Sequence, residues 1–173
     1  MSNSRETTRK MVISALLVAL AVVIPYISLP VVPIPEFSVT LFAHVAILIA
    51  MFVGVETAIL TGLGSVLGFY LKGMPPVVVM RAASHIVFLV VGALLLKKLH
   101  GKKWYIVLLG IITGLVHALC EALIVAFWFK TATVSKTFMV GFPVFFLHHS
   151  FDYIMAVIVC AALSKAKLIK PLW

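Results

Sequence analysis

Residues 104–129 read WYIVLLGIITGLVHALCEALIVAFWF, and Glu121 is the one charged side chain in this stretch. A helix of about 20 apolar residues is long enough to cross the hydrocarbon of a bilayer. A helix on the surface of a soluble protein carries polar residues on its outer face, and this stretch has no such face. It therefore predicts a membrane-spanning helix.

The composition of the whole chain agrees with this interpretation. The chain has 173 residues, of which 64% are hydrophobic, and its mean hydropathy is +1.23. Soluble domains contain about 45–50% apolar residues. The net charge of +9 could indicate a nucleic-acid partner, but the chain has no RNA-binding motif and basic residues gather in the cytoplasmic loops of membrane proteins. We therefore expect no nucleic-acid partner.

The apolar stretches are separated by breaks that contain proline, glycine or charged residues. We predict one all-α integral membrane domain that spans residues 1–173 and crosses the bilayer six times. The predicted helices cover about residues 11–29, 39–53, 57–71, 77–96, 104–129 and 138–163.

Basic residues predict the orientation of this bundle. Six crossings place both termini on one side of the membrane. In the predicted topology, ten lysine and arginine residues lie on that side and three on the other, which are Lys72, Lys130 and Lys136. Because cytoplasmic loops are enriched in lysine and arginine, the ten-to-three split predicts that both termini are cytoplasmic.

Ionisable residues lie within the predicted helices four, five and six. Charged groups are costly in hydrocarbon, so they usually face the protein interior and serve a function. Three pairs share one face of their helix through i, i+4 spacing: Arg81 and His85, His117 and Glu121, His148 and Asp152. At a rise of about 1.5 Å per residue, one member of each pair, namely His85, Glu121 or His148, lies about 12 to 15 Å below the outer face.

The shared depth predicts a polar cavity that opens outward. The alternative is that these pairs are salt bridges that only stabilise the bundle. His44 in predicted helix two is a further candidate, whereas His149 is one residue away from the face of His148 and Asp152. Ala15 and Ala19 form a small-xxx-small pair on helix one, and such pairs allow another helix to approach closely in lipid.

Six short helices, both termini inside, the alanine pair on helix one and a proline-rich first outer loop resemble the substrate-binding S component of an energy-coupling factor (ECF) vitamin transporter. The more specific stretches are 37–45 (FSVTLFAHV), 79–86 (VMRAASHI) and 148–152 (HHSFD). The resemblance is greatest to S components for vitamins with a pyridine or pyrimidine ring, such as niacin, pyridoxine and hydroxymethylpyrimidine. Pantothenate remains open.

This resemblance implies a bacterial cell-membrane protein that captures a vitamin from outside and has no cofactor of its own. It also implies docking through Ala15 and Ala19 onto a membrane T component, which two cytoplasmic ATPases drive. The chain lacks a Walker motif, which agrees with a role other than catalysis. The expected substrate-binding residues are Arg81, His85, His117, Glu121, His148, Asp152, His44 and Glu36.

Physical chemistry gives conflicting indications about the vitamin. Arg81 favours a carboxylate such as nicotinate, whereas Glu121 and Asp152 favour a basic or hydroxylated ring. The aromatic side chains that could form walls of the cavity are Phe88, Trp128, Phe145 and Phe146. The first outer loop, with Pro33, Pro35, Glu36 and Phe37, could act as its lid.

Other classes of function remain as alternatives. Imidazole and carboxylate groups could make the chain a metal-binding protein or a metalloenzyme, but it lacks the His-Glu-x-x-His spacing, so we expect no metal. A serine nucleophile would need Ser84 or Ser150 to face the adjacent histidine, and neighbours on a helix point in different directions. A structural factor without a ligand is the third alternative.

Overall fold

A computed structural model of the chain describes residues 2–27, 30–31, 39–99, 104–129 and 134–169. These residues form six helices and a short two-stranded antiparallel ribbon. The elements in chain order are α1 (Ser2–Ile27), β1 (Pro30–Val31), β2 (Val39–Thr40), α2 (Val45–Val53), α3 (Val55–Leu71), α4 (Pro76–Leu99), α5 (Tyr105–Phe129) and α6 (Val134–Lys165). Within α6, the π-helical segment Thr137–Gly141 joins the first turn to the α-helix Phe142–Lys165.

The fold is that of an all-α membrane protein, as predicted. Four helices in the described part of the chain are long and apolar enough to cross a membrane: Ser4–Ile27, Pro76–Leu99, Tyr105–Phe129 and Val134–Lys165. Helix α3 is apolar but shorter, and α2 has 9 residues. At about 1.5 Å per residue, α2 is less than half as long as the hydrocarbon is thick. The number of six crossings therefore stays a prediction.

Helix α2 occupies the centre of the bundle. It contacts α1, α3, α4 and α6, and every residue from Ala46 to Met51 is buried. The outer helices contact one another in the order α1, α3, α4, α5 and α6. A helix that is apolar on all sides is stable only where protein or lipid surrounds it. Here four other helices surround most of α2.

The start of α2 differs from the prediction of a helix over residues 39–53. Val39 and Thr40 form β2, which pairs with β1, and a turn over residues 41–44 precedes α2. Phe42 in this turn has a φ of 65°, which is uncommon for a residue other than glycine. The reason is tertiary: the backbone amides of Phe42 and His44 donate to the carboxylate of Asp152 on α6.

Two other helix ends differ from the prediction. Helix α1 begins at Ser2 and not near residue 11, and α6 begins at Val134 and not near residue 138. Both extensions consist largely of polar residues, which the apolar pattern placed outside the membrane-spanning helices. A helix continues into water wherever its residues have adequate helix propensity, so an apolar boundary does not mark its end.

Glycine permits the sharp junction between α2 and α3. Gly54 separates the two helices without a longer loop, and its φ of 149° lies where side chains are rarely tolerated. This agrees with the predicted break beside Glu56. At the far end of α3, the ammonium of Lys72 donates to the carbonyl of Pro25 and so stabilises the end of α1.

The two ends of the described chain meet at one end of the bundle. The guanidinium of Arg9 donates to the carbonyl of Lys167 at 3.0 Å. Lys10 on α1 forms an exposed ion pair with Glu56 at the start of α3, with a distance of 2.7 Å. An even number of crossings predicts this proximity of the termini.

Helices α1 and α3 approach closely at glycine, and this predicts a stability effect. A Cβ atom on Gly68 would lie 2.5 Å from the carbonyl oxygen of Val22. Gly68→Ala must therefore separate α1 from α3 and should lower the free energy of unfolding by about 1–3 kcal/mol. Thermal unfolding in detergent measures this change. Leu67→Ala, on an exposed position of the same helix, is the control and should unfold close to the wild-type temperature.

Candidate functional site

The carboxylate of Asp152 fixes one side of the candidate site. Its Oδ1 accepts from the Phe42 amide at 2.9 Å, and its Oδ2 accepts from the His44 amide at 3.0 Å. The Asp152 side chain is fully buried. Hydrogen bonds from backbone amides to a buried carboxylate are stronger than those between neutral groups. Asp152 therefore holds the turn before α2 against α6.

This turn places His44 in the middle of a group of imidazole rings. Its Nδ1 lies 3.1 Å from Oδ2 of Asp152. The centre of its ring is 4.5 Å from that of His85, 4.8 Å from that of His117 and 4.5 Å from that of His148. The end of the first loop, α4, α5 and α6 thus meet around one side chain.

Glu121 on α5 forms the second buried acidic centre. Its Oε2 accepts from Nη2 of Arg81 on α4 at 2.9 Å, and its Oε1 lies 3.1 Å from Nε2 of His85. All three side chains are almost fully buried. Nε2 of His117 lies 3.8 Å from Oε1, which is beyond hydrogen-bond distance. Glu121 therefore links α5 to two side chains on α4.

The Arg81 guanidinium is held from two directions. One edge donates to Glu121, and the Cζ atom lies 4.8 Å above the centre of the Phe145 ring. A guanidinium above an aromatic face is favourable by cation–π attraction. The buried Nε–H of Arg81 has no hydrogen-bond partner among the described residues. This donor is available to a bound molecule.

His117 is the least satisfied member of the group. It is fully buried, and both of its ring nitrogens lack a hydrogen-bond partner among the described residues. Its ring centre lies 5.0 Å from that of His149 and 5.3 Å from that of Phe88. Buried polar groups are nearly always hydrogen-bonded, so both nitrogens of this imidazole are open to a water, an ion or a ligand.

His149 belongs to the same group, and the sequence left its direction open. Its Nε2 lies 3.1 Å from the hydroxyl of Thr113, and its ring centre lies 4.9 Å from that of Phe88. Both His148 and His149 are buried in the interior. Thr113 was not predicted, although its i, i+4 spacing from His117 on α5 places it on the predicted face.

The structure brings together seven of the eight predicted substrate-binding residues: His44, Arg81, His85, His117, Glu121, His148 and Asp152. We call these seven residues and His149 the histidine cluster. Glu36 and the predicted lid residues lie outside the described residues. Phe88 and Phe145 are buried beside the cluster, Phe146 packs near His149, and Trp128 is exposed.

The pairing within the cluster differs from the sequence pattern. The i, i+4 pairs do share faces, but the shortest contacts join different helices. Glu121 bonds to Arg81 and His85 on α4, whereas its neighbour His117 is farther away. His148 likewise lies 4.0 Å from Asp152. Side chains on adjacent helices can approach more closely than a pair one turn apart on the same helix.

Ala15 and Ala19 lie on a different surface. Both are exposed on α1, and they line a groove that α1 forms with α3. At one end of the groove, the hydroxyls of Ser14 and Thr57 are 2.8 Å apart and Lys10 pairs with Glu56. The groove is therefore apolar around Ala15 and Ala19 and polar near the chain termini.

Comparisons with known proteins agree with this architecture. A family model described as "ECF transporter, substrate-specific component" matches residues 9–170. The chain is 31% identical to the "Niacin transporter NiaX" of Lactococcus lactis subsp. cremoris (strain MG1363), over 94% of this chain and 78% of that protein. No solved structure matches the chain significantly.

The role of Asp152 predicts a local effect of its removal. Asp152→Ala leaves two buried amides without an acceptor and should lower the free energy of unfolding by about 3 kcal/mol. Hydrogen exchange at the amides of Phe42 and His44 should become faster. Ser150→Ala is the control, because its hydroxyl bonds to Phe146 within its own helix. Unchanged exchange at both amides in Asp152→Ala would contradict the assignment.

Proposed function

Because the chain belongs to the family of ECF transporter substrate-specific components, we propose that it binds nicotinate from outside the cell at the histidine cluster. A member of this family is a substrate-binding membrane subunit and not an enzyme. In the proposed cycle, the loaded chain docks onto a membrane T component. Two cytoplasmic ATPases then drive release of the vitamin inward.

The choice of an acid rests on the Nε–H of Arg81, which has no hydrogen-bond partner in the part of the chain that the structure describes. A carboxylate is the natural acceptor for a guanidinium, and their hydrogen bonds are charge-assisted. Glu121 accepts from Nη2 of Arg81, and the Nε–H is left for a second anion. Arg81 is nearly fully buried, so little water competes for this donor.

The two carboxylates of the cluster do not need donors from a substrate. Glu121 is engaged by Arg81 and His85, and Asp152 is engaged by the amides of Phe42 and His44. A basic or hydroxylated ring would have to compete with these contacts. These contacts support an acidic substrate over pyridoxine or hydroxymethylpyrimidine.

The imidazoles suit the pyridine ring of nicotinate. Its ring nitrogen accepts one hydrogen bond, and His117 can supply it because neither ring nitrogen of that residue has a described partner. Phe88 and His149 lie beside His117 and offer aromatic faces to a flat ring. Pantothenate also carries a carboxylate but has no aromatic ring to use these faces. The similarity to a niacin transporter supports the same choice.

The exposed alanines of α1 support the proposed docking. A helix of the T component can approach the backbone of α1 closely where Ala15 and Ala19 leave space. The groove lies apart from the histidine cluster, so a docking helix need not touch the bound vitamin. The Lys10–Glu56 pair lies at the end that the basic residues predict to be cytoplasmic.

Binding measurements with the purified protein test the substrate. We expect saturable one-to-one binding of nicotinate by calorimetry and at least 10-fold weaker binding of nicotinamide, which lacks the charge that Arg81 recognises. Pyridoxine, hydroxymethylpyrimidine and pantothenate should compete poorly. Equal affinity for nicotinate and nicotinamide would contradict a role of Arg81 in recognition.

Variants of the buried ion pair locate the site. Arg81→Gln alone leaves Glu121 as an uncompensated buried charge and could unfold the bundle. Arg81→Gln with Glu121→Gln removes both charges and should keep the protein folded, while weakening nicotinate binding by about 10- to 100-fold. Lys97→Gln removes a charge from the exposed end of the same helix and should bind like the wild type. A folded double variant with wild-type affinity would refute the site.

Bulky substitutions on α1 test the docking surface. Ala15→Trp and Ala19→Trp fill the groove and should abolish co-purification with the T component, while nicotinate affinity stays within twofold. Ala162→Trp places the same side chain on an exposed position of α6 and should leave the complex intact. Loss of nicotinate binding in the α1 variants would show that the groove and the site are not independent.

A further inference from the structure

The five imidazoles of the histidine cluster offer more ligand atoms than the protein uses. One ligand atom from each of His44, His85 and His117 lies within 4.8 Å of those from the other two, and His44, His148 and Asp152 form a second such group. All of these residues are buried. His44 belongs to both groups.

A carboxylate lies beside one ring nitrogen of two of the imidazoles, those of His85 and His44. Nε2 of His85 contacts Glu121, and its buried Nδ1 has no hydrogen-bond partner among the described residues. Nδ1 of His44 lies 3.1 Å from Oδ2 of Asp152 without forming a hydrogen bond, and the nearby carboxylate favours a proton on Nδ1 and a lone pair on Nε2. A carboxylate on one ring nitrogen orients the imidazole and makes the other nitrogen a better metal ligand.

The imidazole of His117, whose nitrogens lack a described partner, is a second observation that points to a bound ion. Its imidazole is fully buried, and its two nitrogens have no hydrogen-bond partner in the described part of the chain. The ring lies 4.8 Å from that of His44 and 5.1 Å from that of His85, measured between centres. A cation between these rings would be bound by one of the two nitrogens of His117 that lack a described partner.

The charge of the cluster also favours a cation. Among the described residues, the cluster contains the guanidinium of Arg81 and the carboxylates of Glu121 and Asp152, and so has a net charge of −1 when its imidazoles are neutral. If the proposed function is right, nicotinate adds a second negative charge in a medium of low dielectric constant. A divalent cation offsets both charges.

We propose that His44, His85 and His117 bind one divalent transition metal ion beside the substrate site. Imidazole nitrogens suit Zn²⁺, Ni²⁺ and Cu²⁺, whereas Mg²⁺ and Ca²⁺ prefer oxygen ligands. Zinc–nitrogen distances of about 2.0–2.1 Å need the three nitrogens about 3.4 Å apart. The ligand atoms lie within 4.8 Å of one another, so rotations of the rings that move each nitrogen by about 1 Å close the site. The fourth position remains for the substrate or for His148.

Metal titration of tag-free protein tests this proposal. The protein is treated with EDTA, desalted, and titrated with Zn²⁺ by calorimetry, and Co²⁺ is added to a second sample to observe its visible absorption bands. We expect one Zn²⁺ per chain and Co²⁺ bands of an imidazole-ligated ion. His117→Phe should weaken Zn²⁺ binding at least 10-fold, and His100→Gln, in the predicted polar loop, should change it less than twofold.

The same samples separate this inference from the proposed function. Folded protein that binds nicotinate but gives no Zn²⁺ binding would overturn the metal site and leave the proposed function standing. Zn²⁺ binding that His117→Phe does not weaken would also overturn it, because the ion would then be held elsewhere. Zn²⁺ binding with no response to nicotinate would support the metal site and contradict the proposed function. We expect tighter nicotinate binding with Zn²⁺ than after EDTA.

Discussion

The carboxylate of Asp152 accepts hydrogen bonds from the amides of Phe42 and His44, and much of the site depends on this contact. It ends the β1–β2 ribbon, holds Phe42 at a positive φ and sets where α2 begins. It also places the ring of His44 against those on α4, α5 and α6. In hydrocarbon, water cannot replace a lost acceptor, so this turn has few alternative conformations. Local strain at Phe42 is of the kind often found where a chain closes around a ligand.

The second constraint is the buried ion pair of Arg81 and Glu121. A buried pair gains little net stability, because removing both charges from water offsets much of their attraction. Its value here lies in geometry: Glu121 fixes one edge of the guanidinium, and Phe145 fixes its plane. The Nε–H, which has no partner among the described residues, then points in a defined direction. Such preorganisation is how a small site can recognise a carboxylate with few contacts.

The exposed surface of α1 differs from the site in the interaction that would hold a partner there. Between helices in lipid, hydrophobic attraction is absent and close packing decides which surfaces associate. Ala15 and Ala19 are exposed, whereas the neighbouring face of α1 is packed on α3 at Gly64 and Gly68. Small residues thus join helices inside the chain at Gly64 and Gly68, and they also form an exposed surface at Ala15 and Ala19.

The sequence by itself determined the class of fold, because hydropathy and helical spacing are local properties. It predicted the all-α membrane bundle and placed Arg81, His85, His117 and Glu121 on interior faces, since i, i+4 spacing fixes which side chains share a side. It could not determine which side chains bond across helices, because that depends on how neighbouring helices rotate against one another. The tertiary structure therefore decided that Glu121 pairs with α4, that His149 joins the cluster, and that residues 39–44 form a ribbon and a turn in place of a helix. The last outcome followed from a carboxylate more than a hundred positions away, on α6, which no local pattern can reveal.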